Sequence, residues 1–177
     1  MLFRSISGNI GADSTSFTVW GRGVDKNYYL LYKWSKRGAS HNEQISQIIS
    51  IDHRFKPHVI VMESNGFQKI LASMAKQRGL RNIKEFVTTS GIKKDLYTGL
   101  PSLSAMFERG QIRVPYNDDP STRDQTDHLF VEFNGVTFNE DSGKLENVND
   151  HDDEAMSSFM AITEIRERDK KLEAFLI

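Results

Sequence analysis

A mixed α/β fold, one sheet with helices on both faces, is what this sequence predicts, on three observations. The chain opens with three strand-like segments joined by hairpin-type turns. From there to its end, helical and strand-like segments alternate, which implies a layered sheet-and-helix domain. Between these halves runs HVIVMESNGFQ, residues 58–68, where four apolar residues lead straight into Glu63. An uninterrupted apolar run with β-branched members reads as a central strand buried on both faces.

Composition narrows the function classes. At 177 residues the chain is long enough for one domain with a real core. With 27% charged and 38% hydrophobic residues it has an ordinary globular balance. No apolar stretch reaches membrane-spanning length, and residues 1–4 enter a strand without a signal-peptide pattern. The absence of cysteine excludes disulfides, thiolate zinc sites and cysteine nucleophiles. A net charge of −1 gives no overall basic field, so binding to nucleic acid would need a local patch. No G-x-x-x-x-G-K-[ST] occurs, so the sequence contains no P-loop ATPase.

The elements follow in order. Residues 2–7 alternate apolar and polar, as a strand does. GNIGADS, residues 8–14, is turn chemistry. Strands are predicted at 17–20 and 28–32, joined by GRGVDKN. Residues 40–54 carry apolar positions at helical spacing, and Ser40 with Glu43 makes a capping box. After Pro57 comes the strand ending in Glu63, then a helix over 67–78 closed by Gly79. A short strand at 83–87 leads to SGIKKDLYTG, residues 90–99, a loop with paired lysines. A helix at 100–109 ends at Gly110, and 112–114 reads as an edge strand before Pro115. Residues 124–133 read as a helix, 136–148 as a hairpin and 150–168 as the last helix. The apolar residues 172–177 have no evident partner. Trp20, Tyr28, Tyr29 and Trp34 fall on strands, where packing is their expected role.

Two acidic places carry the chemistry. Glu63 sits where a central strand ends, the edge at which open α/β sheets bind ligands. A carboxylate there is either solvated in a loop or compensated by a cation. The second place is NDHDDEAMSSFMAI, residues 149–162, with His151, Asp152 and Asp153 in the first turn of the last helix. Acids at a helix start serve as caps and complement its dipole. Asp152, however, shares a face with Ala155, Met156 and Phe159, which should pack inward.

Four segments, in this order, carry a resemblance: VMESNGFQ, FVTTSGIKKD, LSAMFERGQIRVP and HDDEAMSS. Together with the opening meander they resemble the RNase H-like nuclease domain of the large terminase subunit of tailed bacteriophages, over nearly the whole chain. The resemblance implies an RNase H-like fold over residues 1–177. It also implies a metal-dependent endonuclease that cuts concatemeric double-stranded phage DNA during packaging. Two divalent ions, Mg²⁺ or Mn²⁺, would clamp the attacking and leaving oxygens from roughly 3.5–4 Å apart. Hard ions of this kind take oxygen ligands, which suits carboxylates. By resemblance Glu63 and Asp152 ligate metal, Asp153 ligates or positions a ligand, and Asp13 is a substitute ligand or stands behind the ligands. His151 is structural or stands behind the ligands, rather than catalytic. The partners implied are double-stranded DNA, an ATPase motor domain, the small terminase subunit and the portal, in the cytoplasm of an infected bacterium. The family carries its motor ahead of the nuclease, so Met1 directly before the first strand suggests an excised domain, with a stand-alone protein as the alternative.

One departure matters. The family's first catalytic Asp ends the first strand, six residues before a second Asp. If Asp13 is the second, Ser7 occupies the first position. Either Ser7 is a natural or introduced replacement, or the register differs and Asp13 supplies the missing carboxylate. With Ser7 as the ligand the expected activity is weak at best, and any residue of it should favour Mn²⁺. Lys93 and Lys94 are expected phosphate contacts, or else a solvated loop; Arg109, Arg113 and Arg123 would extend the patch. Two other readings stand beside this one: another RNase H-like nuclease of the resolvase type, and a non-catalytic module that docks on DNA or the packaging machinery.

Overall fold

The computed structural model describes residues 2–4, 14–64, 66–89, 91, 95, 98–139, 144–147 and 153–175. Its centre is a six-stranded mixed sheet. The strands are β1 (Leu2–Arg4), β2 (Ser14–Arg22), β3 (Tyr28–Arg37), β4 (Ile60–Glu63), β5 (Ile83–Phe86) and β6 (Ile112–Arg113). Their spatial order is β5-β4-β1-β2-β3-β6. β1, β2 and β3 form the antiparallel meander expected from the sequence, while β4 joins β1 and β5 in parallel. β6 adds to β3 in parallel as an edge strand. A separate hairpin pairs β7 (Val136–Asn139) with β8 (Lys144–Asn147), as expected around 136–148.

Among the described residues the helices are α1 (His41–Phe55), α2 (Gly66–Gln77), α3 (Pro101–Glu108), α4 (Pro120–Gly135) and α5 (Asp153–Phe175). The capping box at α1 is present: Glu43 N donates to the Ser40 hydroxyl, and Ser40 N donates to Glu43 Oε2 at 2.9 Å. Two cores separate the faces. Phe17, Val19, Ile60 and Met62 pack against Ile45, Ile48 and Leu71 of α1 and α2. Trp20, Leu30 and Val61 pack against Leu103, Leu129, Met156 and Phe159 of α3, α4 and α5. The expected packing roles hold for Trp20 and Tyr28, which are buried, and Trp34 stacks on Phe17 with ring centroids 5.2 Å apart.

Several boundaries differ from the sequence expectation. β2 and β3 are much longer than 17–20 and 28–32, because backbone pairing continues through the polar stretch Lys33–Arg37. A register shift next to Val19 and Trp20 leaves Leu31 as the extra residue, and it is exposed. Such a bulge flips the strand's facing. Leu30 and Lys33, three apart, therefore both turn toward α5. α4 starts at Pro120 rather than 124, with Asp119 Oδ2 accepting from Thr122 N at 2.8 Å. The last helix begins at Asp153 and continues to Phe175, past the expected end at 168.

Candidate active site

Side chains alternate along a strand, so Glu63 shares a face with Val61, the face that α5 covers. Glu63 is only 5% exposed, although it is the last residue of β4. The solvated-loop alternative for Glu63 is thereby removed. Asp153 opens α5 and is 4% exposed.

α5, which begins with Asp153, runs across the face of the sheet that carries Glu63. Near its start, Glu154 reaches Lys33 of β3. One turn on, the Ser157 hydroxyl lies 2.8 Å from that of Thr18 on β2. Phe159 then meets Phe86 edge-on, with centroids 6.2 Å apart, and Phe86 is the registered neighbour of Glu63. Farther along, Glu164 pairs with Lys84 of β5 at 2.5 Å. α5 thus crosses β3, β2 and β5 on the Glu63 face. Its first turn holds Asp153 and Glu154, where the helix dipole favours negative charge.

Other residues singled out from the sequence fall elsewhere. Ser7, Asp13, His151, Asp152, Lys93 and Lys94 lie outside the described residues. Arg109 caps α3 and its Nε donates to Gln111 Oε1 at 3.1 Å. It adjoins β6, which pairs with the first residues of β3. Glu63 is at the other end of the sheet, level with the end of β3, so the structure does not bring Arg109 or Arg113 to it. Arg123 is engaged locally by Asp118 and the Asn117 carbonyl. The end of β3 instead places Lys36 and Arg37 at the Glu63 edge.

Sequence reasoning missed a second acidic group beside the first turn of α5. His128 and Glu132, one turn apart on α4, meet Glu154, and one ligand atom from each lies within 4.8 Å of the others. His128 Nδ1 is 3.2 Å from Glu154 Oε1 and 4.0 Å from Glu132 Oε1. Glu132 Oε2 accepts from the backbone N–H of Glu154 at 2.6 Å and of Ala155 at 3.1 Å, capping α5 from a neighbouring helix. Burial, with the Glu154 charge nearby, pushes the Glu132 carboxyl up to about 7. Lys33 Nζ donates to Glu154 Oε2 at 2.6 Å. The cluster borders a cleft of about 540 Å³ lined also by Trp34, Lys36, Arg37 and Asp124. Among the described residues, no helix is long and apolar enough to cross a membrane.

Comparison with known proteins agrees with this architecture. A family model described as the terminase RNaseH-like domain matches residues 7–164. No curated protein matches the sequence significantly. Among solved structures, the large terminase nuclease from thermophilic phage G20c superposes with a TM-score of 0.64 at 18% identity, over 87% of this chain and 76% of that one. The same nuclease with bound magnesium gives 0.65 at 18% identity, over 89% and 77%. With bound cobalt it gives 0.58 at 18% identity, over 84% and 80%. At such identity the likeness shows the fold, which is the RNase H-like α/β fold anticipated from the sequence.

Proposed function

The chain belongs to the terminase RNase H-like domain family, and from that premise we propose that it is a divalent-metal-dependent endodeoxyribonuclease acting on concatemeric phage DNA during genome packaging. The observation that carries this reading is the burial of two carboxylates, Glu63 at the end of β4 on the face that α5 covers and Asp153 in the first turn of α5. A bound cation is one way in which buried carboxylates are compensated. An all-oxygen donor set fits a hard divalent ion such as Mg²⁺ or Mn²⁺. The magnesium and cobalt forms of the G20c nuclease support the same choice of ion class.

In this reading Glu63, Asp152 and Asp153 hold the ions, with Asp13 and Ser7 completing the site. When bound, the ions activate water and stabilise charge on the phosphodiester. The chain's own part is to fix the carboxylates. Glu63 is fixed by the β4 ladder, and Asp153 by a helix start that Glu132 caps. Lys93 and Lys94 contact phosphates and position the duplex. The unit acts as a single nuclease domain, with an ATPase motor, small subunit and portal as partners in the infected host's cytoplasm.

The test is conversion of supercoiled plasmid with Mg²⁺ or Mn²⁺. Cleavage should stop with a chelator and with Glu63→Ala. Cleavage that persists in Glu63→Ala would overturn the proposal. A second reading, a non-catalytic docking module, is favoured by Ser7 alone. It predicts DNA binding without cutting under either ion, even after Ser7→Asp.

A further inference from the structure

In the group formed by His128, Glu132 and Glu154, each carboxylate does one structural job with one oxygen and leaves the other over. Glu154 is wholly buried; its Oε2 takes Lys33, while its Oε1 accepts no hydrogen bond from the described residues. His128 Nδ1 stands 3.2 Å from that oxygen. Glu132 gives Oε2 to two backbone amides of α5, and its Oε1 lies 4.0 Å from the same ring nitrogen. Two carboxylate oxygens and an imidazole nitrogen therefore surround a common point.

Charge and spacing say what fits there. Lys33 takes Glu154 Oε2, which leaves Glu154 Oε1 and Glu132 Oε1 on the side of the His128 ring nitrogen, at 3.2 and 4.0 Å. Metal–ligand bonds of about 2.0–2.2 Å in a tetrahedral site put neighbouring donors ~3.3–3.6 Å apart. The separations of 3.2 and 4.0 Å bracket that value. A mixed nitrogen and oxygen set suits a zinc-class ion better than Mg²⁺, which prefers oxygen alone. His128 is exposed at the mouth of the cleft, which gives an entry path and leaves a position for water.

We propose that His128, Glu132 and Glu154 form a structural site for one zinc-class divalent cation, which pins α4 to the first turn of α5. The three donors are different side chains from the ligands of the nuclease reading, although Glu154 follows Asp153 and Glu132 caps the same helix start. The probe is Zn²⁺ in calorimetric titration of the full chain, with Co²⁺ absorption reporting a low-coordinate nitrogen- and oxygen-ligated ion. The expected result is one equivalent beyond whatever the Glu63 edge binds, and a raised melting temperature. His128→Ala, at an exposed position that should leave folding intact, should weaken that site at least tenfold, while Glu63→Ala keeps it. Three results would overturn the proposal: no Zn²⁺ binding by the chain, binding indifferent to His128→Ala, or binding lost in Glu63→Ala. The first would leave the three side chains as a cap on the start of α5; the last would assign the ion to the strand-end edge.

Discussion

Lys33 and Glu154 lie 121 residues apart in sequence and meet at 2.6 Å, with side chains 7% and 0% exposed. The pair ties β3 to the first turn of α5, the turn that also carries Asp153. A buried pair is weak evidence of net stabilisation, but breaking it from one side is expensive. Lys33→Met should cost about 3–5 kcal/mol because Glu154 is left without its ammonium partner. Urea unfolding in chelator measures this, and Lys33→Met with Glu154→Leu should recover most of the loss. A single variant as stable as the parent would mean that Glu154 is already neutralised by another group.

The capping box of α1 predicts an acid-sensitive contribution. Glu43 is held down to about 2 from its ordinary 4.5, chiefly by its hydrogen bond to Lys36 and then by the Ser40 backbone amide. A depressed carboxyl contributes stability that is present above the unfolded value and fades as pH falls through the folded one. The contribution should therefore be complete above about pH 4.5 and disappear towards about pH 2. Stability curves of Glu43→Gln should be flatter across that window; parallel curves would remove Glu43 from the acid response.

How much of this was legible in the sequence depended on how local the signal was. The meander, the Glu63 strand and the α1 cap were legible because apolar runs, alternation and S-x-x-E act within a few residues. The extension of β3 was not, because Lys33 to Arg37 look like loop residues and only pairing with Ser14–Thr18 makes them a strand. The bulge at Leu31 has no sequence signature here, so the facing of Lys33 could not be foreseen. The start of α4 had a usable signal in Asp119 followed by Pro120, a cap with proline in the first turn. His128 and Glu132 showed helical spacing, but their partner Glu154 comes from another helix, 22 residues after Glu132. The burial of Glu63 and Asp153 was foreshadowed because each marks the end or start of an element.

The paired lysines give a prediction about DNA. Each phosphate contact releases condensed counterions, so losing one lowers the salt slope by about 1. Lys93→Ala with Lys94→Ala should weaken duplex binding and reduce the slope of log K against log salt by about 2. Fluorescence anisotropy over a salt series reads both quantities. An unchanged slope would return the two residues to a solvated loop.

The central claim, that carboxylates at the Glu63 edge cut DNA with divalent ions, is tested most directly by restoring an acid at position 7. A serine hydroxyl offers a neutral ligand where an anion would hold an ion and help stabilise the transition state. Plasmid cleavage rate in Mn²⁺ should rise in Ser7→Asp by tenfold or more over the parent chain, about 1.4 kcal/mol off the barrier. Glu63→Ala in that background should bring it back to the chelator baseline. A Ser7→Asp protein that is folded and binds DNA, yet cuts no faster than the same protein carrying Glu63→Ala, would contradict the account.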